Sequence, residues 1–158
     1  MNALIDVTTV AAGGAIGATL RYAVTAAMGL FAPAGRWASV MGLVGGPSAA
    51  GTTIANLLGC LALGMLLQMM QWGPPADAVA GDPTRPMELA GFWTPRRLLM
   101  VRVGLLGSLT TFSTLIGETI GLFATGRWQA GATLLLLNVV AGGACFLLGV
   151  GMARQWTG

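Results

Sequence analysis

Between Gly107 and Leu115 the chain reads GSLTTFSTL: a glycine, two serines, three threonines and Phe112, inside an apolar run from about Leu98 to Phe123. A hydroxyl both donates and accepts hydrogen bonds. In a membrane helix a scattered serine or threonine is accommodated by bonding back to the carbonyl one turn earlier. A cluster of them behind Gly104 and Gly107 points instead to a helix that breaks. Non-helical backbone at membrane depth persists only where protein or a water-filled cavity surrounds it. Its freed carbonyls then suit a cation, and its hydroxyls suit an ion pathway.

The other polar residues in the apolar runs that need explaining are Arg21, Asn56, Glu118 and Asn138. An unpaired polar group in hydrocarbon is costly, so each is a candidate for function. Arg21, in GGAIGATLRYAVTAAMGL, is either a snorkelling side chain or a fixed positive charge that draws an anion to a pore mouth. Asn56, in GTTIANLLGCLALGM, serves either as glue between helices or as a replacement for part of an ion's hydration shell. Thr52 lies on the same helix face. Glu118 is either paired with an arginine or hydroxyl of the same bundle, or it is the single acid of a proton-coupled exporter. Cys60 and Cys145 read as small packing residues. The chain has no histidine, which removes the commonest metal ligand and general base, and it is not expected to be an enzyme.

These residues sit in a chain of 158 residues that is 55% hydrophobic and 8% charged, with a mean hydropathy of +0.77. Soluble domains do not have this composition. About 20 apolar residues cross a hydrocarbon core as a helix, and segments near 8–30, 51–71, 98–123 and 128–153 meet that length. They predict an all-α membrane protein forming one integral membrane domain over residues 1–158. The first segment holds Asp6 and Arg21 without a basic cluster, so it reads as a retained span rather than a signal peptide.

Phe31–Ala50 reads as a loop that lies partly against the membrane surface. The 72–95 connection, with Pro74, Pro75, Pro83 and Pro86, reads as a flexible aqueous loop, and ATGRW makes spans three and four a tight antiparallel pair. Trp37, Trp72, Trp93, Trp128 and Trp156 flank span ends, as an interfacial belt predicts. The net charge of +3 comes from eight arginines, but no basic patch interleaves with aromatics, so nucleic acid is not expected as a partner. Arg85, Arg96, Arg97 and Arg154 lie on the side of both termini, against Arg36 and Arg127 on the other. The asymmetry mildly favours cytoplasmic termini and is small enough for insertion in both orientations. Recurrent glycines, among them Gly13, Gly14, Gly17, Gly59, Gly64 and Gly117, let helices approach closely and suggest association beyond the monomer.

Taken in order, GGAIGATLRY, GTTIANLLGCLALG and GLLGSLTTFSTLIGE resemble the signatures of the Fluc or CrcB fluoride channel family, across all four spans. The resemblance implies four transmembrane helices with a broken third helix, paired as an antiparallel, dual-topology dimer that encloses two fluoride pathways. It implies that Asn56, Phe112 and Ser113 or Thr114 line the anion path, with Arg21 near it. A structural sodium ion would rest on the backbone carbonyls of Gly107 and Thr110. Thr52, Glu118 and Asn138 would support the site. The family's motif usually carries a second phenylalanine where this chain has Leu115, and further polar residues after the position of Asn138 where it has VVAGGACF. Those departures bring in a heterodimer with a paralogous subunit beside the homodimer.

The function so implied is passive export of fluoride across the cell membrane, which relieves its cytoplasmic toxicity. A small proton-coupled exporter working through Glu118 and a non-conducting partner subunit are the alternatives. The lipid bilayer is a partner in all three.

Overall fold

The computed structural model describes residues 2–31, 36–71 and 93–157. Most of the expected 72–95 loop, including Arg85 and Trp72, lies outside them, as do the side chains of Trp37 and Trp156. The elements in chain order are α1 (Ala3–Phe31), α2 (Arg36–Leu43), α3 (Pro47–Gln71), α4 (Pro95–Leu98), a π-helix π1 (Leu99–Leu106), α5 (Gly107–Leu109), α6 (Phe112–Ala124) and α7 (Trp128–Thr157). Four stretches are long and apolar enough to cross a membrane: Ala3–Leu30, Pro47–Met70, Pro95–Ala124 and Trp128–Gln155. The chain is a multi-pass membrane protein.

Local chemistry sets the boundaries. Pro47 and Pro95 start helices, where their missing N–H costs nothing and their fixed φ fits the first turn. Thr94 caps α4 by accepting from the Arg97 N–H at 3.3 Å. Behind α6, Gly126 takes φ +75° while its N–H reaches the Phe123 carbonyl and the Arg127 N–H reaches Leu122. This paired closure needs a left-handed residue, which glycine supplies without strain. The short turn between spans three and four therefore matches the expectation.

Two expectations need correction. The Phe31–Ala50 connection is not simply a loop, because it holds the eight-residue helix α2. Helices also run past the apolar segments, α1 starting at Ala3 rather than near Thr8. Helix formation does not stop at the hydrocarbon edge, and Asp6 in the first turn of α1 opposes the positive end of the helix dipole.

Glycines make the seams. A Cβ on Gly13 would collide with the Met100 carbonyl oxygen, and one on Gly17 with the Leu105 carbonyl and the Ser108 hydroxyl. From the other side, a Cβ on Gly104 would come within 2.6 Å of the Val10 carbonyl. Backbone thus lies on backbone between α1 and π1–α5. Gly64 and Gly149 do the same between α3 and α7, against Phe146 and Leu61. Gly14 and Gly117 face open space within the chain.

Two apolar clusters fill the interior. One joins Ala49, Leu115, Leu122, Ala130 and Leu134; the other joins Ala55, Leu66, Leu106 and Leu109. Trp93 packs half-buried against the second cluster, whereas Trp128 is exposed and stacks on Phe123 at 4.8 Å. Asp6 pairs with Arg96 at 3.4 Å where α1 and the third span begin. At the opposite end Arg127 donates to the Gly42 and Gly45 carbonyls, tying the α2–α3 turn to the α6–α7 turn.

Candidate functional site

Midway along Pro95–Ala124 the backbone leaves the helix. Thr110 has φ −82° and ψ 153°, Thr111 has φ −150° and ψ 116°, and both are extended. The turns before them are already altered, because Leu99–Leu106 is a π-helix, a geometry that recurs at functional sites.

In a continuous helix the Thr111 N–H would donate to Gly107. It donates instead to Asn56 Oδ1 at 2.8 Å, and Asn56 Nδ2 returns a longer bond of 3.4 Å to the Thr111 carbonyl. One side chain of α3 therefore grips both backbone polar groups of the extended residue. The Thr114 N–H is diverted likewise, from the Thr110 carbonyl to Thr111 Oγ1 at 3.3 Å, so that Thr111 caps α6. Gly107 and Thr110 are thus two of the carbonyls whose helical donors are diverted at the break.

Beyond the extended pair, hydroxyls cluster on the first turn of α6. Thr111 Oγ1 lies 3.0 Å from Thr114 Oγ1 and 3.4 Å from Ser113 Oγ. Phe112, Ser113 and Thr114 are exposed, Phe112 to 76%. Leu115 turns the other way and is only 5% exposed, inside the first apolar cluster. The helix N-terminus adds its own positive potential and N–H groups, so this turn suits an anion.

Asn138 of α7 comes to the same place. Its Oδ1 accepts from Asn56 Nδ2 at 2.9 Å, and its Nδ2 donates to Thr53 Oγ1 at 3.0 Å. Thr52, expected on the face of Asn56, is buried, and its neighbour Thr53 is the threonine that joins the cluster. Glu118 lies one turn beyond Thr114 and accepts from Ser48 Oγ at 2.6 Å, while its other oxygen is buried without a hydrogen bond. Arg21 is half-buried on α1, one turn past Gly17, and its guanidinium meets no partner among the described residues. No group of three or more His, Cys, Asp or Glu side chains suits a metal among the described residues.

Residues 8–150 match the family described as CrcB-like protein, Camphor Resistance. The chain belongs to the CrcB-like family. A relative from Rhodopirellula baltica named fluoride-specific ion channel FluC is 45% identical over 157 residues, 99% of either chain. A relative of the same name from Chloroflexus aurantiacus is 33% identical over 153 residues, 97% of this chain and 98% of its own. Another from Dehalococcoides mccartyi is 33% identical over 137 residues, 87% of this chain and 83% of its own. These CrcB-like relatives bear the name of a channel, not of an enzyme.

Within this CrcB-like chain the sequence left three participants unread. Thr111 stood in the hydroxyl cluster without a role of its own, although its backbone is what Asn56 holds. Ser48 gave no signal, being a lone serine near a proline. Ser108 donates to the Gly14 carbonyl at 2.9 Å and fastens α5 to α1. Such partners lie 55 to 94 residues apart in the chain, and no local pattern connects them.

Proposed function

We propose that this chain is a fluoride channel of the cell membrane that lets fluoride leave passively. The observation that carries the reading is the first turn of α6. Hydroxyls and an aromatic ring stand exposed there midway along the apolar stretch Pro95–Ala124, beside extended backbone. Lipid does not satisfy such groups. A second copy inserted in the opposite orientation covers this face and encloses a path, which makes the functional unit an antiparallel, dual-topology dimer with a broken third helix in each copy. The names of the relatives support fluoride as the ion.

Fluoride is small and tightly hydrated, so a selective path replaces its water with hydrogen-bond donors. The Ser113 and Thr114 hydroxyls supply donors, and the edge of the Phe112 ring offers partial positive charge. Asn56 stands at the break beside them, supported by Asn138 and through it by Thr53, while Thr52 is buried on the same helix, and Glu118 marks the same face one turn on. Arg21 raises the local anion concentration by its field. Gly107 and Thr110 fit a structural sodium ion, because their carbonyls are relieved of helical donors and hard cations take oxygen ligands. When bound, that ion supplies positive charge that holds the extended segments in place.

Export needs no energy source. Where the medium outside is acidic, fluoride crosses as the neutral acid, and at the higher pH inside the cell it is trapped as the anion. A path for the anion then lets it run down its gradient, relieving toxicity.

In a bacterium deprived of its own fluoride exporter, this chain is expected to restore growth in acidic medium containing fluoride, and Phe112→Ile is expected to lose most of the rescue. Failure to rescue with the protein present in the membrane counts against the homodimer. Rescue only on co-expression with a paralogous subunit assigns the function to a heterodimer.

A further inference from the structure

Arg102 belongs to the third span but to none of the contacts described above. Only two residues of π1 are exposed, Arg102 and Val103. The Arg102 guanidinium meets no hydrogen-bond or ion-pair partner among the described residues. Of the two acids among them, Asp6 pairs with Arg96, and Glu118 accepts from Ser48. A charge within a membrane span is costly in lipid and almost always faces a partner or a water-filled cavity.

The exposed face of π1 runs on to Gly107 and then to Phe112, Ser113 and Thr114. Gly107 leaves a gap in that face. Only the Arg102 carbonyl oxygen, at 3.7 Å, comes within 4 Å of where a Cβ on Gly107 would stand. A small residue on an outer face lets a second helix approach closely, so two copies of the third span cross here. In an antiparallel pair the two-fold axis lies in the membrane plane, and it sets residues before the crossing level with residues equally far beyond it in the second copy. Arg102 stands about 9 Å before the middle of the break, at about 1.5 Å per residue. The first turn of α6 lies a similar distance beyond it.

We propose that Arg102 completes the anion path of the second copy: its guanidinium lies across the seam from that copy's Phe112, Ser113 and Thr114 and supplies the fixed positive charge beside their hydroxyls. This deepens the fluoride reading and rests on it and on its antiparallel dimer. Each path then takes its hydroxyl donors from one chain and this cation from the other, so a single chain holds halves of two different paths. A guanidinium suits the task because it stays charged and carries five N–H donors. A cation lining a narrow path favours anions over cations. Arg21, half-buried on α1, acts by its field and is a separate charge.

The test uses full-length protein in lipid vesicles and a fluoride electrode. Arg102→Gln is expected to lower efflux at least fivefold, and Arg102→Lys to keep it within about twofold. Dimers of two differently tagged chains, purified through both tags, then assign the charge to its path. With Arg102→Gln on one chain and Phe112→Ile on the other, both defects fall in one path, and about half of the unsubstituted efflux is expected to remain. With both substitutions on one chain and none on its partner, each path carries one defect, and efflux is expected to fall at least fivefold. The reverse order means that Arg102 serves its own chain's path and overturns the proposal. Unchanged efflux in Arg102→Gln also overturns it, and assigns the side chain to the lipid surface.

A second readout does not depend on conduction. In chains with Cys60→Ser and Cys145→Ser, a short bis-maleimide is expected to join a copy carrying Arg102→Cys to a copy carrying Thr114→Cys. No dimer-sized band from that pair overturns the proposal. If the unsubstituted protein passes no fluoride, the fluoride reading fails and the conduction role fails with it, while the band still reports whether Arg102 lies across the seam.

Discussion

Asn56→Asp is expected to cut fluoride efflux from reconstituted vesicles by about a hundredfold or more, with the protein still extracted as a discrete assembly. The substitution is nearly isosteric, so packing is not the issue. Asp keeps an acceptor for the Thr111 N–H, yet it loses both donors and turns an oxygen toward two other oxygens, the Thr111 carbonyl and Asn138 Oδ1. Setting an uncompensated charge in this part-buried site against two other oxygens costs on the order of 3–5 kcal/mol. At about 1.4 kcal/mol per factor of ten, that shifts the equilibrium away from the clamped backbone by two orders of magnitude or more. A fluoride electrode measures the rate, and gel filtration checks that the assembly persists. Efflux within a few-fold of the unsubstituted protein would mean that the Asn56 amide does not hold the path open.

Gly17→Leu is expected to prevent α1 from docking. Any Cβ at this position collides with the Leu105 carbonyl and the Ser108 hydroxyl, so the obstacle is partly backbone and cannot rotate away. Overfilling a well-packed site costs about 1–3 kcal/mol, and rigid backbone on both sides places this case at the upper end. The lost contact also separates Ser108 from the Gly14 carbonyl. Thermal unfolding in detergent is expected to show a lower midpoint and a loss of monodisperse protein. Gly29→Leu, near the end of α1 with open space around it, is expected to be tolerated. Equal effects at the two positions would contradict the glycine seam.

The sequence revealed the spans because hydropathy reads the cost of transfer into lipid, and that cost dominates in a chain so poor in charge. The extended residues Thr110 and Thr111 fall within GSLTTFSTL, where hydroxyls gather in an apolar run. What it did not give is partnership. Asn56 and Asn138 were each singled out as costly polar groups, but their mutual bond, and the choice of Thr53 over Thr52, depend on how α3 and α7 face each other. Helix α2 was read as a loop because its eight residues carry glycine-rich flanks and no long apolar run. The π-helix was invisible, since its altered hydrogen bonding leaves no residue pattern to detect. Leu115 looked like a missing aromatic of the path, yet in this fold it is a core residue on the buried side of α6.

The central claim is that fluoride passes through this chain without a partner of another sequence. Purified protein in vesicles loaded with potassium fluoride, with a potassium ionophore to relieve the charge that efflux builds up, tests it most directly. The expected result is rapid, passive loss of fluoride to an external electrode, while vesicles loaded with potassium chloride keep their chloride. Retention of fluoride, or escape of chloride at a matching rate, would contradict the account.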